Sequence, residues 1–229
     1  MFVISDLIGK KYLAQPVMNR RMLSSLISKG WEVGSHTRTH PNLTELSDFQ
    51  VNAELSDSKK RLENITSAKV TSLAYPFGAH DNRIETIAAR HYIAARSGSC
   101  YPPLRVNGLF PRDQMKLKAV NTYEHALYLP LHLFENHLAV KIRYRSRKPR
   151  NPSLSRGRLY RERKGLEARF VRKWLRNLRG DQWLILSFHD ISTNKSSTSY
   201  SIALREFREI VKAIAQSAEV VNLGEGVQT

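Results

Sequence analysis

Val70-Thr71-Ser72-Leu73-Ala74-Tyr75 and Tyr92-Ile93-Ala94-Ala95 flank the segment Asp81-Asn82-Arg83-Ile84-Glu85-Thr86-Ile87-Ala88. The outer stretches are apolar and strand-like. The inner one opens on Asp81, a residue type that accepts hydrogen bonds from the first free amides of a helix, and places Ile84, Ile87 and Ala88 at helical spacing. Strand, helix, strand in this short compass is the unit from which parallel sheets are built.

The same alternation extends towards the N-terminus. Met1-Phe2-Val3-Ile4 reads as a strand. Val17, Met22, Leu23, Leu26 and Ile27 recur with helical period after Pro16, a good first-turn residue, and Gly30 stands where a helix ends. Trp31 to Gly34 reads as a short strand. A helix is expected from Ser47, with Asp48 and Gln50 in its first turn, to about Asn64, turning Val51, Leu55 and Leu62 inward. Tyr101 to Pro130 is broken by Pro and Gly into loop with one or two short strands. Gly165 to Leu178 recovers a helical pattern through Leu166, Phe170, Trp174 and Leu178. Gln182 to Phe188 is an apolar run of the kind buried on both faces of a parallel sheet, and it ends in His189-Asp190. Ile202 to Ala215 is amphipathic, and Val220 to Leu223 makes a last strand before a frayed tail. The fold class is α/β.

Composition narrows the possibilities. The chain has 229 residues, 41% hydrophobic and 25% charged, enough for one sizeable core, and one domain is expected. No apolar run has the length of a bilayer crossing, in keeping with a mean hydropathy of −0.43, and Met1 to Ile4 lacks the length and basic flank of an export signal. The compartment is left unknown. One cysteine, Cys100, excludes an intrachain disulfide framework and a Cys-rich zinc module.

The net charge of +17 is concentrated in one place, because residues 141–180 hold sixteen Lys and Arg against Glu162 and Glu167, leaving +3 for the remainder. Residues 141–164, rich in Arg, Lys, Ser and Pro, read as an exposed basic insertion that buries little. Contact of 141–179 with an anionic surface is one partner reading. Nucleic acid is the weaker one, since Phe170 and Trp174 lie four apart on a helix and are more simply core contacts.

Three polar clusters terminate candidate strands: Ser35-His36-Thr37-Arg38-Thr39-His40, Tyr75-Pro76-Phe77-Gly78 and His189-Asp190. Ligand sites in α/β sheets form at the carboxyl ends of strands, so the three can share a mouth. His36 and His40 are four apart, a spacing that can aim two imidazoles at one cation; a capping or surface role competes with that reading.

Gly30-Trp31-Glu32-Val33-Gly34-Ser35-His36-Thr37-Arg38-Thr39-His40-Pro41-Asn42-Leu43 resembles the metal-binding motif of polysaccharide deacetylases of the NodB-homology, carbohydrate esterase family 4 type. Leu73 to Gly78 resembles the next motif of that family, and Leu184 to Asp190 the late strand that bears its catalytic His. The resemblance implies a distorted (β/α) barrel and removal of N-acetyl, less often O-acetyl, groups from an acetylated amino-sugar polymer or oligosaccharide. It also implies a divalent metal, zinc first, held by His36 and His40, with His189 as general acid and Tyr75, Pro76 and Phe77 lining the substrate and oxyanion site. Ala74 stands where many members carry Arg. The family's Thr-Phe-Asp-Asp-Gly motif, source of its base and third ligand, has no counterpart here, and no Asp-Asp pair occurs in the chain. The expectation is therefore a barrel missing its first strand, N-terminally truncated and impaired as a catalyst. The alternative is a non-catalytic carbohydrate- or polyanion-binding pseudoenzyme.

Overall fold

A computed structural model describes residues 1–12, 15–97, 107–108, 114–121, 141–143, 168–177, 182–183, 185–188, 190–193 and 201–227. In chain order its elements are β1 (Phe2–Val3), β2 (Lys11–Tyr12), β3 (Gln15–Pro16), α1 (Arg20–Ile27), β4 (Gly34–Ser35), α2 (Asp48–Thr66), β5 (Ser72–Ala74), α3 (Asn82–Ala88) and β6 (Ala94–Ser97). There follow β7 (Asn107–Gly108), β8 (Leu117–Asn121), β9 (Lys141–Arg143), α4 (Ala168–Asn177), β10 (Gln182–Trp183), β11 (Ile185–Ser187), β12 (Asp190–Ser192), β13 (Ser201–Ala203), α5 (Leu204–Ser217), β14 (Glu219–Val221) and α6 (Leu223–Gly226). The chain forms two compact units: Met1–Gly98 with Pro111–Lys118 and Asn222–Thr229, and Ser99–Phe110 with Ala119–Val221.

The first unit is a parallel sheet flanked by helices, as the strand-helix-strand reading requires. β1 pairs with β4 (Phe2 opposite Gly34), β4 with β5 (Ser35 opposite Leu73), β5 with β6 (Ala74 opposite Arg96) and β6 with the start of β8 (Arg96 opposite Leu117), all parallel. Because side chains alternate across a strand, Val3, Val33, Leu73, Tyr75 and Ala95 fall on one face. They merge with Leu23 of α1, Val51, Leu55 and Leu62 of α2, and Ile84, Ile87 and Ala88 of α3 in one buried cluster. Each large aliphatic side chain removed from water there contributes about 1.5–3 kcal/mol. The predicted inward residues of α2 are thus core residues.

The opposite face of the sheet carries Phe2, Gly34, Ser72 and Arg96. Gly34 belongs there for steric reasons, since a Cβ at that position would lie 2.5 Å from both a ring carbon of Phe2 and the hydroxyl of Ser72. Neither neighbour is free to yield. Phe2 is buried in a strand, and Ser72 donates its hydroxyl to Glu32 Oε1 at 2.6 Å.

Helix boundaries follow capping chemistry. α2 starts after Ser47 as expected, where Ser47 and Gln50 form a reciprocal capping box, and the Asp81 side chain accepts the Ile84 amide to start α3, the cap expected from sequence. α1 begins later than Pro16 suggests. Pro16 lies in the β2–β3 hairpin, and the first turn is capped by Asn19, which accepts from Met22 N–H at 3.0 Å. The expected frayed tail is likewise corrected at residues 223–227. Glu32 Oε2 accepts the Gly224 amide at 3.2 Å, and Leu223, Gly224, Gly226 and Val227 are buried.

In the second unit the end of β8 pairs parallel with β11 (Ala119 opposite Ile185), β10 pairs antiparallel with β7, and β12 parallel with β13. α4 packs on α5 through Ala168, Val171 and Leu175, which meet Ile210 and Ile214. The side chains of Phe170 and Trp174, read as core contacts, lie outside the described residues. Residues 141–143, the start of the basic insertion, form β9 against β14, and residues 144–164 lie outside the description. No helix among the described residues is long and apolar enough to cross a membrane.

Replacing Gly34 with Ala forces the sheet apart between Phe2 and Ser72. We expect a loss of about 1–3 kcal/mol of stability, read as a lower urea midpoint, with Gly30→Ala, where nothing stands within 4 Å of the added carbon, reporting the backbone conformation alone.

Candidate metal centre

β4 ends at Ser35, and the chain then turns back within five residues. The ladder continues briefly: His36 N–H donates to Val3 O at 2.9 Å, Ser5 N–H to Thr37 O at 3.2 Å and Asp6 N–H to Arg38 O at 3.0 Å. These bonds fix one side of the turn. The other side is held by α2, where Ser58 shares a 2.8 Å hydrogen bond with the Ser35 hydroxyl, which itself accepts the Thr37 amide at 3.1 Å. Thr37 Oγ1 in turn accepts the His40 amide at 3.0 Å.

The result is a tight loop with His36 fully buried and His40 half-buried. Thr37 and His40 both hold left-handed φ values, 65° and 70°, conformations that cost of the order of 1–3 kcal/mol each and persist only where surrounding contacts impose them.

The two imidazoles meet at their Nε2 atoms, 3.1 Å apart, with ring centroids 4.6 Å apart. His36 Nδ1 lies 2.7 Å from the Ala74 carbonyl, which can only accept. The hydrogen of neutral His36 therefore sits on Nδ1, and its Nε2 presents a lone pair towards His40. Two imidazole nitrogens at this separation, each 2.0–2.1 Å from one ion, would subtend roughly 100° at it, within reach of tetrahedral coordination. The pair fits a divalent cation. Among the described residues there is no group of three or more His, Cys, Asp or Glu able to hold a metal ion. Asp6, close to the loop through its backbone, has its carboxylate 3.4 Å from Arg61.

Phe77 closes one flank. Its ring lies 4.7 Å from that of His40, edge to face, and is 39% exposed. Phe77 too is left-handed, at φ 60°, inside a turn in which Gly78 N–H donates to Tyr75 O at 3.0 Å. The strand alternation sends Tyr75 the other way. Its ring is buried in the core and stacked on His80 at 4.8 Å, so this residue can offer the site its main chain and not its phenol. Pro76 is also buried. Of the residues predicted from sequence, the structure brings together His36, His40 and Phe77, while His189 lies outside the described residues.

One participant was not singled out from sequence. Glu54 of α2, 6% exposed, accepts hydrogen bonds from Arg38 N–H, Thr39 N–H and the Thr39 hydroxyl. The signal was available: Glu54 falls between Val51 and Leu55 on the inward stripe of α2, where a carboxylate needs partners to be tolerated.

Ser58→Ala would remove the hydrogen bond that ties the buried Ser35 hydroxyl to α2. The expected cost is about 1–2 kcal/mol, measured by chemical denaturation, with the helix content of α2 unchanged by circular dichroism.

Residues 1–95 match the family model for polysaccharide deacetylase. Over 73 residues the chain is 42% identical to a gellan lyase from a Bacillus species, a region that is 31% of this chain and 3% of that protein. It is 28% identical over 114 residues to "Putative polysaccharide deacetylase YxkH" of Bacillus subtilis strain 168, covering 50% of this chain and 37% of the relative. It is 29% identical over 83 residues to chitin deacetylase 1 of Cryptococcus neoformans var. grubii, covering 36% and 17% respectively. The chain thus spans well under half the length of these relatives. The matched segment is the one that builds the His36–His40 loop and the Tyr75–Gly78 turn, and it is through residues 1–95 that the chain is similar to the polysaccharide deacetylase family.

Proposed function

We propose that His36 and His40 are two ligands of a divalent-metal site, with zinc the ion that suits imidazole donors, in a domain that removes N-acetyl or O-acetyl groups from a carbohydrate. The observation that carries this reading is the convergence of the two Nε2 atoms at 3.1 Å, with His36 anchored through Nδ1 by the Ala74 carbonyl. A bound divalent ion would supply Lewis acidity, lowering the pKa of a water and polarising an acyl oxygen.

In this reading the chain's own groups do the rest. The Phe77 main-chain N–H, on the turn beside His40, is the donor for the developing oxyanion. His189 is the general acid that protonates the departing amine. The substrate class, an acetylated amino-sugar polymer or oligosaccharide, is supported by the likeness to a chitin deacetylase.

A second reading rests on the donor set. Two imidazoles without a carboxylate among the described residues bind a cation less tightly and leave its water without an adjacent base, which favours a glycan-binding domain that does not turn over.

Chitooligosaccharide with added Zn²⁺ or Co²⁺ separates the two. The deacetylase reading predicts acetate release that needs the metal and disappears in His36→Ala and His40→Ala, with circular dichroism unchanged. Retention of the sugar without acetate supports the second reading. Metal binding itself should weaken as the solution is acidified, because protons compete for the imidazole lone pairs; a wild-type protein that binds neither ion removes the metal site altogether.

A further inference from the structure

A helix whose task was only to pack would carry an apolar residue at position 54. Val51, Leu55 and Leu62 already seat α2 on the sheet, all fully buried, and a desolvated carboxylate among them is a cost unless its oxygens are matched. At Glu54 they are matched by one short piece of chain. Oε2 accepts both the Arg38 and the Thr39 amides, each at 2.9 Å. Oε1 accepts the Thr39 hydroxyl at 2.8 Å and lies 3.6 Å from Arg38 Nε. Those two amides are the central peptide groups of the loop that joins His36 to His40, and the left-handed residues Thr37 and His40 stand on either side of them.

We propose that Glu54 is the positioning residue of the histidine pair: by taking the Arg38 and Thr39 amides it holds His40 in its left-handed conformation and sets its Nε2 against that of His36, acting through hydrogen bonds and not through its charge. The carboxylate touches neither imidazole. Its influence passes through the backbone, and because both amides converge on a single oxygen, a side-chain amide can replace the acid. A glutamine oxygen at the Oε2 position accepts both, and the Thr39 hydroxyl can reverse to accept from the glutamine NH₂. Only the long Arg38 contact is lost.

Two measurements on the whole chain test this. One records imidazole nitrogen shifts in the metal-free protein; the other, which rests on the metal reading above, measures Zn²⁺ affinity by competition with a chelating dye. Glu54→Ala is expected to move the His40 ring signals towards those of free imidazole, leave the His36 Nδ1–H signal in place, and weaken Zn²⁺ binding about 10- to 100-fold. Glu54→Gln should restore both close to wild type. The proposal is overturned if Glu54→Ala leaves both readouts unchanged. It is also overturned if Glu54→Gln loses as much as Glu54→Ala while circular dichroism stays native, since charge would then be the operative property. Should Glu54→Ala fail to fold, Thr39→Val, which removes one donor from an exposed residue, carries the test: a smaller shift of His40 in the same direction is expected, and no shift overturns the proposal. If the wild-type chain binds no Zn²⁺, the metal reading fails and the imidazole shifts decide the role of Glu54 on their own.

Discussion

The hydrogen bond from His36 Nδ1 to the Ala74 carbonyl is the constraint on which the site depends. It ties the end of β4 to the last residue of β5, and so it exists only because those strands are parallel neighbours in register. It also decides a question of chemistry. A carbonyl cannot donate, so the ring's hydrogen is held on the core side and its lone pair is turned towards His40. Sheet topology thereby selects a tautomer, and a buried histidine that would otherwise be a desolvated liability becomes a directed donor.

α2 shows how one element serves two requirements. Its apolar residues complete the core, and interspersed with them, at helical spacing, Glu54 and Ser58 hold the loop from below. Arg38 meets the same helix at Asp57, 3.5 Å away. The strain of two left-handed residues in five is offset locally, by groups fixed on a nineteen-residue helix that is itself anchored at its start by the Ser47 capping box. A loop relying on its own side chains would have no such support.

Much of this was readable before any coordinates. Capping residues Ser47 and Asp81 and the inward residues Val51, Leu55 and Leu62 depend on local rules, and the helices start and face where those rules say. The pairing of His36 with His40 was legible as spacing alone. What spacing could not convey is that the segment does not turn helically: it uses positive φ at Thr37 and His40, which no propensity of Thr or His announces. Pro16 misled for a related reason, since a proline suits a hairpin as well as a first helical turn, and Asn19 was the better cap. Glu54 was hidden because a carboxylate between apolar residues reads as surface until its partners, sixteen and fifteen residues earlier in sequence, are seen. The C-terminal turn at residues 223–227 was missed similarly, as its anchor on Glu32 spans 192 positions.

Gly34 has a further implication. It sits two residues before His36 on the same side of β4, with the Phe2 ring and the Ser72 hydroxyl crowded against it. That packing leaves no room for a side chain at position 34, two residues before the imidazole. A larger side chain at position 34 would therefore press first on β1 and β5, the two strands that flank the one leading to His36.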